Sequence, residues 1–130
     1  MKRIFVTRQK KFASAMMPYW VIPGSKQAFM AQFGLYGDLC QFNALGQPVA
    51  RIDPAVLDAN GRQIKNGEQI ILEVSDNIAS LFACTSTGSL SNEVILQGGQ
   101  IMGGMETFYL NMTTKGGFSK VSYPWFEYGF

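Results

Sequence analysis

The sequence predicts a mainly β domain: an antiparallel β-sandwich of about seven or eight strands with one short helix near residues 25–34. Three observations lead there. Residues beyond 66 divide into short apolar-alternating segments separated by Asn, Gly, Asp and Ser clusters. Met16 to Ile22 (MMPYWVI) is a near-continuous apolar run closed by Pro23-Gly24, too short for a typical helix and suited to a strand buried on both faces. The length of 130 residues matches one domain, residues 1–130, with room for a core that needs no staples.

In chain order, residues 2–7 (KRIFVT) are β-branched and aromatic, a first strand, and Arg8-Gln-Lys-Lys11 is a polar break. Pro18 lacks a ladder donor and belongs at the start of the second strand or at a bulge. Ser25 is placed to cap a helix, Phe29, Met30 and Phe33 recur at helical spacing, and Gly34 can close it in a left-handed conformation. Residues 35–46 are mixed and turn-prone, and Gln47 to Ile52 reads as a short strand. Asp53-Pro54 starts one or two turns of helix that Asn60-Gly61 can stop. Asn66-Gly67 is a hairpin turn leading into Glu68 to Val74, with Ile70, Leu72 and Val74 on one face. Ile78 to Thr85 and Asn92 to Gln97 follow. Gly98-Gly99 and Gly103-Gly104 bracket a flexible connection. Glu106 to Thr113 puts Phe108, Leu110 and Met112 inward and Thr107, Tyr109 and Asn111 outward, and residues 118–128 form the last strand. The expected core is Val21, Ile70, Leu72, Val74, Phe82, Val94, Leu96, Phe108 and Leu110.

Charged residues are 15% of the chain against a usual value of about 25%, which implies a large buried fraction or a surface hidden in an oligomer. Lys2, Arg3, Arg8, Lys10, Lys11 and Lys26 open the chain with no acidic residue among them, while the remainder nets −4. Only four uncharged residues separate Arg3 from Arg8, too few for a signal-peptide core, and no run nears the ~20 apolar residues of a membrane span. A cytoplasmic protein is expected, with Cys40 and Cys84 as free thiols.

Two segments resemble small bacterial β-sandwich domains of unknown function. They are Arg8-Gln-Lys-Lys-Phe12 leading to Pro18-Tyr-Trp-Val-Ile22, and Ile64-Lys-Asn-Gly-Glu68 leading to Ile70–Val74. The resemblance implies a sandwich fold and no activity.

Catalysis has little to draw on. Without histidine the chain lacks the usual base near neutral pH and the commonest metal ligand. Asp53, Asp58 and Asn60 lack the alternate spacing of a calcium loop, and Gly98–Gly104 is followed by a strand where a phosphate loop needs a helix. No enzyme, metal or cofactor is therefore expected. A basic patch of Arg8, Lys10 and Lys11, interleaved with Phe5, Phe12, Tyr19 and Trp20, is the one nucleic-acid-like feature, and no nucleic-acid motif accompanies it.

The segment Tyr123-Pro-Trp-Phe-Glu-Tyr-Gly-Phe130 carries five aromatics in eight residues. Alternation sends Tyr123 and Trp125 to one face and Phe126 and Tyr128 to the other, so one of the two pairs faces outward. Trp125, Phe126, Tyr128 and Phe130 are thus the candidate interaction surface. The expected function is a non-catalytic interaction or assembly module that self-associates. The alternative is a module binding a small ligand or carbohydrate through surface aromatics.

Overall fold

The computed structural model describes residues 1–11, 17–117 and 120–127. The described residues form nine strands and two helices: β1 (Lys2–Arg8), β2 (Tyr19–Pro23), α1 (Lys26–Phe33), α2 (Pro54–Asn60), β3 (Arg62–Ile64), β4 (Gln69–Val74), β5 (Ser80–Cys84), β6 (Val94–Ile95), β7 (Gln100–Met102), β8 (Met105–Gly117) and β9 (Lys120–Glu127). The chain is mainly β, in two sheets. The larger has the order β4-β1-β8, with β7 and β9 both on the far edge of β8. The smaller has the order β3-β2-β5-β6.

One core lies between the sheets. Alternation in β1 and β4 points Ile4, Val6, Ile70, Leu72 and Val74 inward, where they meet Tyr19, Val21, Ile64, Leu81 and Ala83 of the smaller sheet. Phe108 and Leu110 pack against this cluster, as their alternation predicts. Phe82 is buried in the core as expected, but in a second cluster. It lies between Leu81 and Ala83, so it faces away from this core.

Phe82 instead joins Trp20, Ile22 and Cys84 on the opposite face of the smaller sheet, under Phe29 of α1, Leu57 of α2, Ile52 and Leu90. The chain is thus layered sheet, sheet, helices. That layering is why β2 and β5 read as unbroken apolar runs: each is buried on both faces.

Both helices are capped as their sequences require. Ser25 Oγ accepts from the Ala28 N–H at 3.2 Å and Gly34 ends α1 at φ +67°. Asp53 Oδ1 accepts from the Ala55 N–H at 2.9 Å ahead of Pro54. The Trp20 indole N–H donates to Asp58 Oδ1 at 2.8 Å and ties α2 to β2. Gly61 follows against the Val21 carbonyl, where a Cβ would overlap the oxygen.

Further expectations are corrected. The sheets are not wholly antiparallel, because β1 and β8 pair in parallel, Ile4 opposite Phe108 and Val6 opposite Leu110. A parallel pair needs a long crossover, and here the whole smaller sheet and both helices supply it. The Asn66-Gly67 turn is not a hairpin, since β3 and β4 belong to different sheets and the turn carries the chain between them. Residues 47–52 form no strand, only a bridge between Phe42 and Pro48. Gly103 and Gly104, at φ +59° and +78°, are not the end of a loose connection but the two-residue turn of a tight β7–β8 hairpin.

Candidate functional site

The charged and nucleophilic residues are largely used up inside the fold. Lys2 is buried and its ammonium donates to the carbonyls of Ile78 and Leu96 at 2.7 and 3.3 Å. Arg8, expected on a basic surface, is 1% exposed. It sits on the inner face at the end of β1, its guanidinium 3.8 Å from the Tyr19 ring centre and donating to the Ile64 carbonyl at 2.9 Å. Burial draws its pKa below the ordinary arginine value, and Tyr19 opposes that shift. Lys10 and Lys11 are exposed, and the Lys11 N–H donates to Asn66 Oδ1, so they decorate the 66–67 turn. The patch of three therefore reduces to two surface lysines.

Glu93 accepts from Ser80 Oγ at 2.7 Å and from the Lys26 N–H at 3.0 Å, binding the start of α1 to β5. Cys40 and Cys84 are free and buried. Desolvation pushes the Cys84 thiol up to about 12, the opposite of what a nucleophile needs. Among the described residues no three Cys, Asp or Glu side chains gather as metal ligands, and no helix is long and apolar enough to cross a membrane.

In the aromatic strand β9 the pair that faces outward is Tyr123 and Trp125. Phe126, 1% exposed, enters the core opposite Met112, while Tyr123 and Trp125 lie half-buried on the outer face. The cause is a clamp on the backbone. The Asn92 side chain accepts from the Phe126 N–H at 2.8 Å and donates to its carbonyl at 2.9 Å, holding the free edge of β9 at that register. Trp125 therefore remains a surface candidate and Phe126 does not. Tyr128 and Phe130 lie outside the described residues.

Register builds the rest of that outer face. Phe5 of β1 stands opposite Ile71 on one side and Tyr109 on the other. The Phe5 and Tyr109 rings stack at 4.9 Å with an 11° interplanar angle. One strand further, Trp125 meets Tyr123 edge-on at 6.3 Å, and the Lys115 ammonium lies 4.2 Å over the indole. Both helices are spent on the smaller sheet, so Tyr109 stays 60% and Ile71 45% exposed. Charge on this face is balanced: Arg3 pairs with Glu73 at 3.0 Å on one side of the Phe5 row, and Lys115 and Glu127 stand on the other.

Sequence reasoning found Trp125 and the outward turn of Tyr109, named Phe5 only as an aromatic beside the basic patch, and missed Ile71. The alternation of KRIFVT carried the signal, since Ile4 and Val6 inward leave Phe5 outward. A second exposed apolar group was also missed, in the small turn around Asn43: Tyr36, Leu39, Phe42, Leu45 and Val49. No family model matches the chain, and neither a curated protein nor a solved structure is significantly similar to it, so the reading of this face rests on its own geometry.

Proposed function

We propose that the chain is a non-catalytic assembly module of β-sandwich type, acting as one unit in the cytoplasm and self-associating through the outer face of its larger sheet. The observation that supports this reading is the asymmetry of the two sheets. One has its outer face covered by helices, and on the other Tyr109 and Ile71 are exposed beside the partly buried Phe5 and Trp125, with no helix over them among the described residues. Strand spacing and rise give that face a footprint of roughly 500 Å². A face with as many anionic as cationic groups suits a second copy of itself and repels a polyanion no less than it attracts one. A pair in which each copy presents the same patch is the usual closed arrangement.

Light scattering on the intact chain and on an Ile71→Ser, Tyr109→Ser variant tests the reading at roughly tens of micromolar. Both side chains are exposed enough for the variant to fold, which circular dichroism checks. The expected result is a multiple of 14.4 kDa for the intact chain and 14.4 kDa for the variant. A monomeric intact chain, or a folded variant that still oligomerises, overturns it.

A further inference from the structure

The sequence holds two Asn-Gly pairs, Asn60-Gly61 and Asn66-Gly67. In such a pair the glycine backbone nitrogen can attack the asparagine side-chain amide, because no Cβ on the glycine obstructs the approach. The fold places the two pairs in opposite circumstances.

Asn60 is the last residue of α2. Its Nδ2 donates to the Val56 carbonyl at 2.7 Å, and the Gly61 N–H donates to the Leu57 carbonyl at 2.9 Å. Gly61 is also pressed against the Val21 carbonyl, which leaves its backbone no room to turn. Attack at Asn60 therefore requires the last turn of α2 to open.

Asn66 and Gly67 are the two central residues of a β-turn whose outer residues hold it shut. The Glu68 N–H donates to the Lys65 carbonyl and the Lys65 N–H to Glu68 Oε1, both at 3.0 Å. Gly67 is exposed at φ +75°, and among the described residues nothing accepts from its N–H. The attacking nitrogen is thus open to water and base. The Asn66 side chain is polarised for attack. The Lys11 N–H donates to Asn66 Oδ1 at 2.9 Å, drawing electron density from the amide carbon and facing the charge that this oxygen takes up when the carbon becomes tetrahedral.

We infer that Asn66 is a site of self-modification, converted through a cyclic imide with Gly67 to isoaspartate and aspartate in the folded protein. The Gly67 nitrogen bonds to Asn66 Cγ, the Cγ–Nδ2 bond breaks, and ammonia leaves with the proton that the Gly67 N–H gave up. Water then opens the ring. Cleavage at Cγ restores the ordinary main chain with an aspartate. Cleavage at the backbone carbonyl leaves an isoaspartyl link, one methylene longer, in the turn that carries the chain from one sheet to the other. Water is the sole co-reactant. Either product puts a carboxylate beside Lys11 and beside Lys10, whose side chain a Cβ on Gly67 would touch at 3.6 Å. The net charge of +2 falls by one.

The inference is independent of self-association. Its test is incubation of the intact chain at pH 8, folded and in guanidinium chloride, followed by tryptic peptide mapping. Cleavage after Arg51, Arg62 and Lys65 puts the two asparagines in separate peptides. A gain of one dalton is expected at Asn66 in the folded chain, at a rate within about tenfold of the denatured rate and at least about tenfold above that of folded Asn60. The product should contain both isoaspartate and aspartate. Asn66→Gln, which would need a larger ring, should lose the gain, and Asn60→Gln should leave it unchanged. A folded Asn66 slower than either bound overturns the inference. So does a product that is aspartate alone, because the side-chain amide would then be hydrolysed directly without Gly67.

Discussion

Substituting Phe126 and Trp125 separately by alanine tests the orientation of β9, which alternation leaves open between its two faces. Phe126 is 1% exposed and belongs to the cluster between the sheets. Its removal loses the transfer energy of the ring and leaves a cavity under a backbone that Asn92 holds in place, so about 3–5 kcal/mol is expected. Trp125 loses less. Its Lys115 contact is worth about 0.5–1 kcal/mol. Its edge-on contact with Tyr123 is worth about 0.5–1.5 kcal/mol, and the half-buried ring yields little cavity. The expected total is about 1–2.5 kcal/mol. Urea unfolding followed by far-ultraviolet circular dichroism measures both without depending on tryptophan emission. The midpoint should fall further for Phe126→Ala, with the slope m unchanged in both. A larger loss for Trp125→Ala, or equal losses, would refute the placement of Phe126 in the core.

Two further outcomes are expected. Cys84 should not react with a thiol reagent at pH 8 in the native protein and should react at once in denaturant, because burial holds its folded pKa at about 12, above the ordinary thiol value. By the same linkage the stability due to neutral Cys84 is fully present below the unfolded pKa near 8.5. It is lost as pH rises towards 12, which a Cys84→Ala variant, measured from pH 8 upwards, should lack. Gly61→Ala should cost about 1–3 kcal/mol by pushing α2 off the Val21 carbonyl, and an unchanged thermal midpoint would contradict that packing.

Local signals were legible where the chemistry is local. Ser25, Gly34, Asp53 and Pro54 mark the helix ends because each satisfies or removes a backbone group at a fixed offset. The run at Tyr19–Ile22 showed burial on both faces because a strand between two apolar layers has no polar side. Pairing was not legible. Nothing in KRIFVT says that its neighbour is Glu106–Met112, and the turn at Asn66-Gly67 has the same residues whether it folds a hairpin or changes sheets. The orientation of β9 is held by the Asn92 clamp, more than thirty residues away, while alternation alone is symmetric between its two faces.

The parallel pairing of β1 with β8 also dictates a timetable. β1 lies inside the larger sheet, with β4 on one edge and β8 on the other, and those partners come about 65 and about 105 residues later in the chain. On a ribosome adding roughly 5–20 residues per second, β1 spends several seconds with an edge unmatched, presenting Ile4, Phe5 and Val6 to whatever strand is near. Contacts of such long range slow the search for the native pairing. The basic residues around this segment, Lys2, Arg3 and Arg8, then have a use before any of them reaches its final position: like charges on the open strand keep nascent copies from pairing with each other.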